Sequence, residues 1–135
     1  MLTRRGFGGG AVCAAVGLVA SGAGAQTQPA QTAGVSRTVI QSTDFNDTHM
    51  TVLAMVEIAP GATVARHTHP GIESAYVLEG EVELSVQGQP DKRIKAGGGF
   101  QVSPNTPHAA RNGDRTAKLA ITYVVEKGKP LASPA

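Results

Sequence analysis

Between Val35 and Val125 short apolar runs alternate with turn-forming residues, and no segment sustains a helical period. Residues 81–86, Glu-Val-Glu-Leu-Ser-Val, alternate polar and apolar, the pattern of a strand with one buried face. Residues 35–41 and 50–58 are rich in β-branched and apolar side chains. Shorter runs at 64–67, 74–78, 92–94, 100–102, 108–111 and 119–125 bring the series to eight or nine predicted strands. Turn chemistry falls between them: Pro60-Gly61, Gly80, Gln87-Gly88-Gln89-Pro90, Gly97-Gly98-Gly99 and Asn112-Gly113. So many short strands predict an all-β fold, a small antiparallel barrel or sandwich. The chain has no obvious internal repeat. Residues 26–34 read as a flexible lead-in, and residues 127–135, with Pro130 and Pro134, as a loose tail.

Length and composition narrow this picture. A chain of 135 residues supports one domain. With 41% apolar and only 16% charged residues it can bury a core, so wholesale disorder is excluded. Seventeen glycines and eight prolines against five aromatic residues favour many turns and a small-residue core over a helical bundle. The single cysteine, Cys13, excludes an internal disulfide framework and a cysteine-built zinc site.

The first 25 residues read as an address. Thr3-Arg4-Arg5-Gly6-Phe7 precedes an uncharged run that ends in Ala23-Gly24-Ala25, a small-x-small exit suited to signal peptidase. The arginine pair, and a run made modestly hydrophobic by Gly and Ala, resemble the bacterial twin-arginine export signal. The expectation is export to the periplasm with cleavage after Ala25. A stable membrane anchor is not expected, because a span wants about 20 strongly apolar residues. Gly10-Ala11-Val12-Cys13 also lacks the small residue before cysteine that a lipoprotein signal needs. The remaining 110 residues carry ten bases and ten acids, so no basic stripe supports nucleic-acid binding.

Four histidines hold the candidate chemistry: His49, His67, His69 and His108. His67 and His69 are two residues apart on one predicted strand, which turns both toward the same face. Glu73 follows past Pro70-Gly71, at the start of the next strand, read as the antiparallel neighbour. Two imidazoles and a carboxylate on one concave surface suit a divalent ion such as Fe, Mn, Ni, Cu or Zn. His49, beside Asp47 and Thr48, reads as an exposed strand-start residue. Arg66 alternates away from His67 and so points outward, and no other Arg or Lys stands at an identified inward position. Tyr76, Leu78 and Phe100 read as core or subunit contact.

The spacing carries a resemblance. Gly61, His67-Thr68-His69, Glu73 and Gly80 match every fixed position of the first motif of the cupin superfamily. Gly97, Pro104, Pro107, His108 and Asn112 are similar to the second motif. Two fixed positions depart from it, Ser103 where Pro is usual and Asn105 where Gly is usual. Asn best tolerates the left-handed backbone that Gly would supply, so the second departure is mild.

The resemblance spans about residues 50–125 and implies a single-domain cupin-type jelly-roll β-barrel over residues 35–126. In it His67, His69, Glu73 and His108 converge on one divalent metal ion per subunit. His108 would arrive on a strand joined to 119–125 through an Asn112-Gly113 hairpin. Three imidazoles and one carboxylate leave one or two positions open on a six-coordinate ion, which suits Fe(II) or Mn(II) with O₂ and a chelating substrate. Glu73 could also leave the metal and act as a base. Small bacterial cupins of this kind look most like quercetinase-type dioxygenases, which implies a metal-dependent enzyme on a small-molecule substrate. The alternative is a non-catalytic cupin that binds or senses a small ligand. A homodimer is expected, since strand 35–41 offers an open edge and residues 74–78 are apolar on both faces.

Overall fold

The computed structural model describes residues 33–135, and the residues read as an export signal, with most of those read as a lead-in, lie outside them. Ten strands run in order: β1 (Val35–Asp44), β2 (His49–Ile58), β3 (Thr63–Thr68), β4 (Gly71–Glu79), β5 (Glu81–Val86), β6 (Lys92–Lys95), β7 (Gly99–Val102), β8 (His108–Asn112), β9 (Ala117–Glu126) and β10 (Ser133–Pro134). Every predicted strand forms, most of them longer by one to three residues at an end. No helix occurs among the described residues. The fold is all-β, as expected, a jelly roll of two antiparallel five-stranded sheets ordered β1-β2-β9-β4-β7 and β10-β3-β8-β5-β6.

The period-two pattern sets which side chains meet between the sheets. Val52, Ala54, Val56 and Ile58 of β2 point inward, as do Leu119, Ile121, Tyr123 and Val125 of β9. Val82, Leu84 and Val86 of β5 close the core from the facing sheet. On β1 the same alternation aims Val35 and Arg37 inward, opposite Ile58 and Val56. A bulge after Val39 then throws Ile40 out to solvent.

Two connections differ from expectation. Strands β8 and β9 lie in different sheets, so residues 113–116 form a crossover and not a hairpin. Asn112 anchors that crossover from a buried position. Its Nδ2 donates to the carbonyls of Ile58 and Ala59, 2.8 and 3.1 Å away, and to Arg115, while its Oδ1 accepts from the Gly113 N–H. A local Asn-Gly turn was legible at this place, but the side chain's long-range bonds decide where the chain goes next.

The tail is also not loose. Ser133–Pro134 pairs with Thr68 and His67 of β3, and Leu131 and Ala132 are buried. Pro130 and Pro134 suggested an unpaired end. Yet a proline is compatible with an edge strand, and Leu131 has apolar surface to bury.

Candidate metal centre

His67 of β3 lies directly across from His108 of β8. Glu73 of β4 belongs to the other sheet, facing inward with Ala75 and Val77, and pairs in register with Tyr123 and Val102. The reading of Glu73 as belonging to the antiparallel neighbour of β3 is therefore corrected. The chain passes from one sheet to the other at His69-Pro70, and the four residues converge across the interior. Gly71 makes this crossing possible: a Cβ there would sit 1.9 Å from the Val124 carbonyl oxygen, so any side chain would push β4 off β9. Asn105 adopts φ 55°, the left-handed backbone expected of it, and its N–H holds the His69 carbonyl at 2.8 Å.

The three imidazoles are oriented alike. The Nδ1–H of His67 donates to the Ala65 carbonyl at 2.7 Å, that of His69 to Leu131 at 2.6 Å, and that of His108 to Thr106 at 2.8 Å. Because a carbonyl only accepts, each proton is placed on Nδ1, and each Nε2 offers a lone pair to the centre. There His67 Nε2 and His69 Nε2 are 3.1 Å apart, and Glu73 Oε2 lies 3.0 Å from His69 Nε2 and 2.8 Å from His108 Nε2. All four ligand atoms fall within 4.8 Å of one another. Ligands about 2.1 Å from one ion stand roughly 3–4 Å apart, so the set fits a divalent cation. Facing lone pairs repel unless a cation or protons sit between them, which is a second reason the donor set suits a metal.

The electrostatics agree. Burial pushes the His67 imidazole down to about 4, so it stays neutral and ready to ligate at ordinary pH. Burial alone would raise the Glu73 carboxyl, but without metal the His108 and His69 Nε2 atoms beside it, sharing a proton with the carboxylate, outweigh it and hold the group at about 2. Burial likewise opposes charge on His108, yet its bond to Glu73 raises it overall. A carboxyl that stays ionised at ordinary pH is available as a metal ligand. Its stabilising effect without metal is present above about 4.5 and is lost as pH falls toward 2. Urea titrations of chelated protein should therefore show wild type losing stability between pH 5 and 3 more steeply than Glu73→Gln. Parallel slopes would mean that Glu73 is not held ionised by its histidines.

Beside the cluster is a cavity with about 40 Å³ of free space, room for roughly three waters. Its wall includes His67, Glu73 and His108, apolar side chains of both sheets, Phe100, Arg37 and Tyr123. Phe100 is partly buried against the core as expected, while Tyr76 and Leu78 are outward-facing and exposed. Arg66 is exposed, as read. His49 begins β2, half-buried, bonded to Thr48 Oγ1 at 2.8 Å and apart from the cluster.

Three contributors went unread in the sequence. Arg37 carries a signal, because it alternates in phase with Val35 and Val39 and so faces inward. Tyr123 likewise shares its face with Ile121 and Val125. Leu131 acts through its backbone carbonyl, which no residue type can advertise.

Fold and site together define a two-sheet barrel whose interior holds a three-histidine, one-carboxylate cluster able to bind a metal ion. The Cupin domain family model matches residues 54–126, and the chain belongs to that family. The chain is 33% identical over 84 residues to the Oryzines biosynthesis cluster protein J of Aspergillus oryzae, covering 53% of this chain and 46% of that protein. It thus spans less than half the length of the curated relatives it matches. Among solved structures it resembles an uncharacterized conserved protein with a double-stranded beta-helix domain from Klebsiella pneumoniae. There the TM-score is 0.62 at 22% identity, over 80% of this chain and 90% of that one. It also resembles an oxalate oxidase in complex with the substrate analogue glycolate, with TM-score 0.59 at 20% identity, over 74% and 54% of the respective chains. At these identities the likeness carries the fold alone.

Proposed function

We propose that the protein is an exported, metal-dependent enzyme of the dioxygenase type acting on a compact small molecule. The cavity against the four ligands carries this reading, since structural metal sites are closed and catalytic ones keep an open position. Fe(II) or Mn(II), bound by His67, His69, Glu73 and His108, would supply Lewis-acid and redox chemistry. The chain's own residues hold the ion from two sheets, exclude bulk water and limit the substrate's size. About 40 Å³ suits a substrate of a few heavy atoms next to the ion and not a three-ring flavonol. The test is oxygen uptake by Fe(II)- and Mn(II)-reconstituted protein with catechol-like and enediol-like compounds, with His108→Ala as the control. Metal-dependent uptake lost in that variant is the expected result. Binding without uptake would overturn the enzyme and leave the non-catalytic ligand-binding cupin.

Two companions of this reading have their own tests. Export through the twin-arginine route would carry the folded protein with its metal already chosen, ahead of competing periplasmic copper or zinc. Lys-Lys at Arg4-Arg5 should trap the precursor in the cytoplasm, and undiminished periplasmic accumulation would contradict this route. A homodimer is supported by the outer face of the first sheet. Leu53, Ile72, Tyr76 and Leu78 are exposed there, and Met55, Ala120 and Tyr76 stand side by side across β2, β9 and β4. Light scattering should give twice the chain mass for wild type and a monomer for Tyr76→Lys. A monomeric wild type at micromolar concentration would remove the proposal.

A further inference from the structure

Two polar atoms in the interior are left over once the metal ligands are accounted for. Arg37 Nε and Tyr123 Oη are both buried with no hydrogen-bond partner among the described residues. Tyr123 is 0% exposed, and its ring packs against His69 at a centroid distance of 4.8 Å. The guanidinium carbon of Arg37 stands 5.6 Å from the Tyr123 ring centroid. Arg37 joins no ion pair among the described residues and lines the cavity beside Tyr123, its guanidinium near both the ring and the phenol hydroxyl. Leaving two such groups without a well-aligned partner in the interior costs folding free energy, and more for a charged donor. An edge position on β1 would accept a Val or Thr in place of Arg37 at no such cost. The remaining wall of the cavity is apolar: Val35, Val56, Ile58, Leu84, Leu119 and Ile121 among others.

We propose that Arg37 and Tyr123 form an anion subsite opposite the metal ligands, and that the cavity's ligand is a compact organic carboxylate. The carboxylate accepts from the Arg37 guanidinium and from the Tyr123 hydroxyl, and its short apolar or oxygen-bearing remainder points at the four-ligand cluster. Charge decides the class. A divalent ion, one ionised Glu73, three neutral imidazoles and the half-buried Arg37 cation would leave a net of about +2 around the cavity, which an anion relieves and a neutral ligand does not. Arg37 presents the flat fork that matches a carboxylate. This inference rests on the metal-site reading above and narrows its substrate.

The test uses Mn(II)-loaded full-length protein whose metal content is measured for every variant. Calorimetric titrations with acetate, propionate and isobutyrate are compared with those of acetamide, propionamide and isobutyramide. Wild type should bind at least one carboxylate and discriminate against its amide. Arg37→Met should weaken carboxylate binding by about 10- to 100-fold, with amide binding and metal content unchanged. Tyr123→Phe, which keeps ring and volume, should weaken it by about 2- to 10-fold. Arg37→Lys should recover only part of the loss, because an ammonium lacks the fork. Carboxylate affinity that is equal in wild type and Arg37→Met would place the anion on the metal alone and overturn the subsite. So would a metal-loaded wild type that binds none of the three. Protein that fails to retain manganese at all contradicts the metal centre itself, a different failure.

Discussion

His108→Ala should leave the protein without metal after dialysis and lower its melting temperature by roughly 10–20 °C at saturating metal. His108 sits opposite His67 across β3 and β8, its Nδ1–H fixed on the Thr106 carbonyl, so its Nε2 is aimed at the centre. Loss of one of four ligands weakens binding by about 100-fold or more. At fixed metal that is about 2.7 kcal/mol of lost linkage stabilisation, and 1 kcal/mol is about 4–8 °C for a domain of this size. Chelated wild type and chelated His108→Ala should differ far less, which separates the linkage from a packing defect. His49→Ala should match wild type in both assays, as His49 stands apart from the cluster. A full equivalent of metal with unchanged affinity in His108→Ala would end the four-ligand account.

Removing residues 130–135 should impair metal binding almost as severely. The Leu131 carbonyl accepts the Nδ1–H of His69 at 2.6 Å, and with it gone His69 is free to change tautomer and turn its ring. Loss of such an outer-shell partner costs about 10- to 100-fold in affinity. Stability falls as well, because Leu131 and Ala132 are buried and β10 caps the edge of β3. Leu131→Ala separates the two effects. It keeps the carbonyl and creates a cavity, so it should cost about 2–5 kcal/mol of stability while metal affinity stays within a few-fold of wild type. Truncated protein that binds metal as tightly as wild type would show that His69 needs no anchor from the tail.

The tail shows where sequence reading stops. Strict alternation in Glu81–Val86 and the turn glycines at positions 61, 80 and 97, all at positive φ, made the strands and their breaks legible. The residues of the candidate cluster were legible too, His67 and His69 from their shared strand face, and the full set with Glu73 and His108 from the resemblance to the cupin motifs. What was not legible is pairing between distant segments. Nothing local says that β4 faces β3 across the interior and is not bonded beside it, or that Asn112 ties the distant carbonyls of Ile58 and Ala59. Nor can a proline-bearing tail announce that it closes a sheet edge. Arg37 is a different case, since its inward face followed from the period of β1.

The central claim is that three imidazoles and one carboxylate surround a single ion between the two sheets. X-ray absorption on protein loaded with one equivalent of manganese counts those ligands directly. The account predicts nitrogen and oxygen scatterers at about 2.0–2.3 Å with outer-shell scattering from three imidazole rings, reduced to two in His67→Ala. A spectrum with one imidazole or none in the wild-type protein would contradict it.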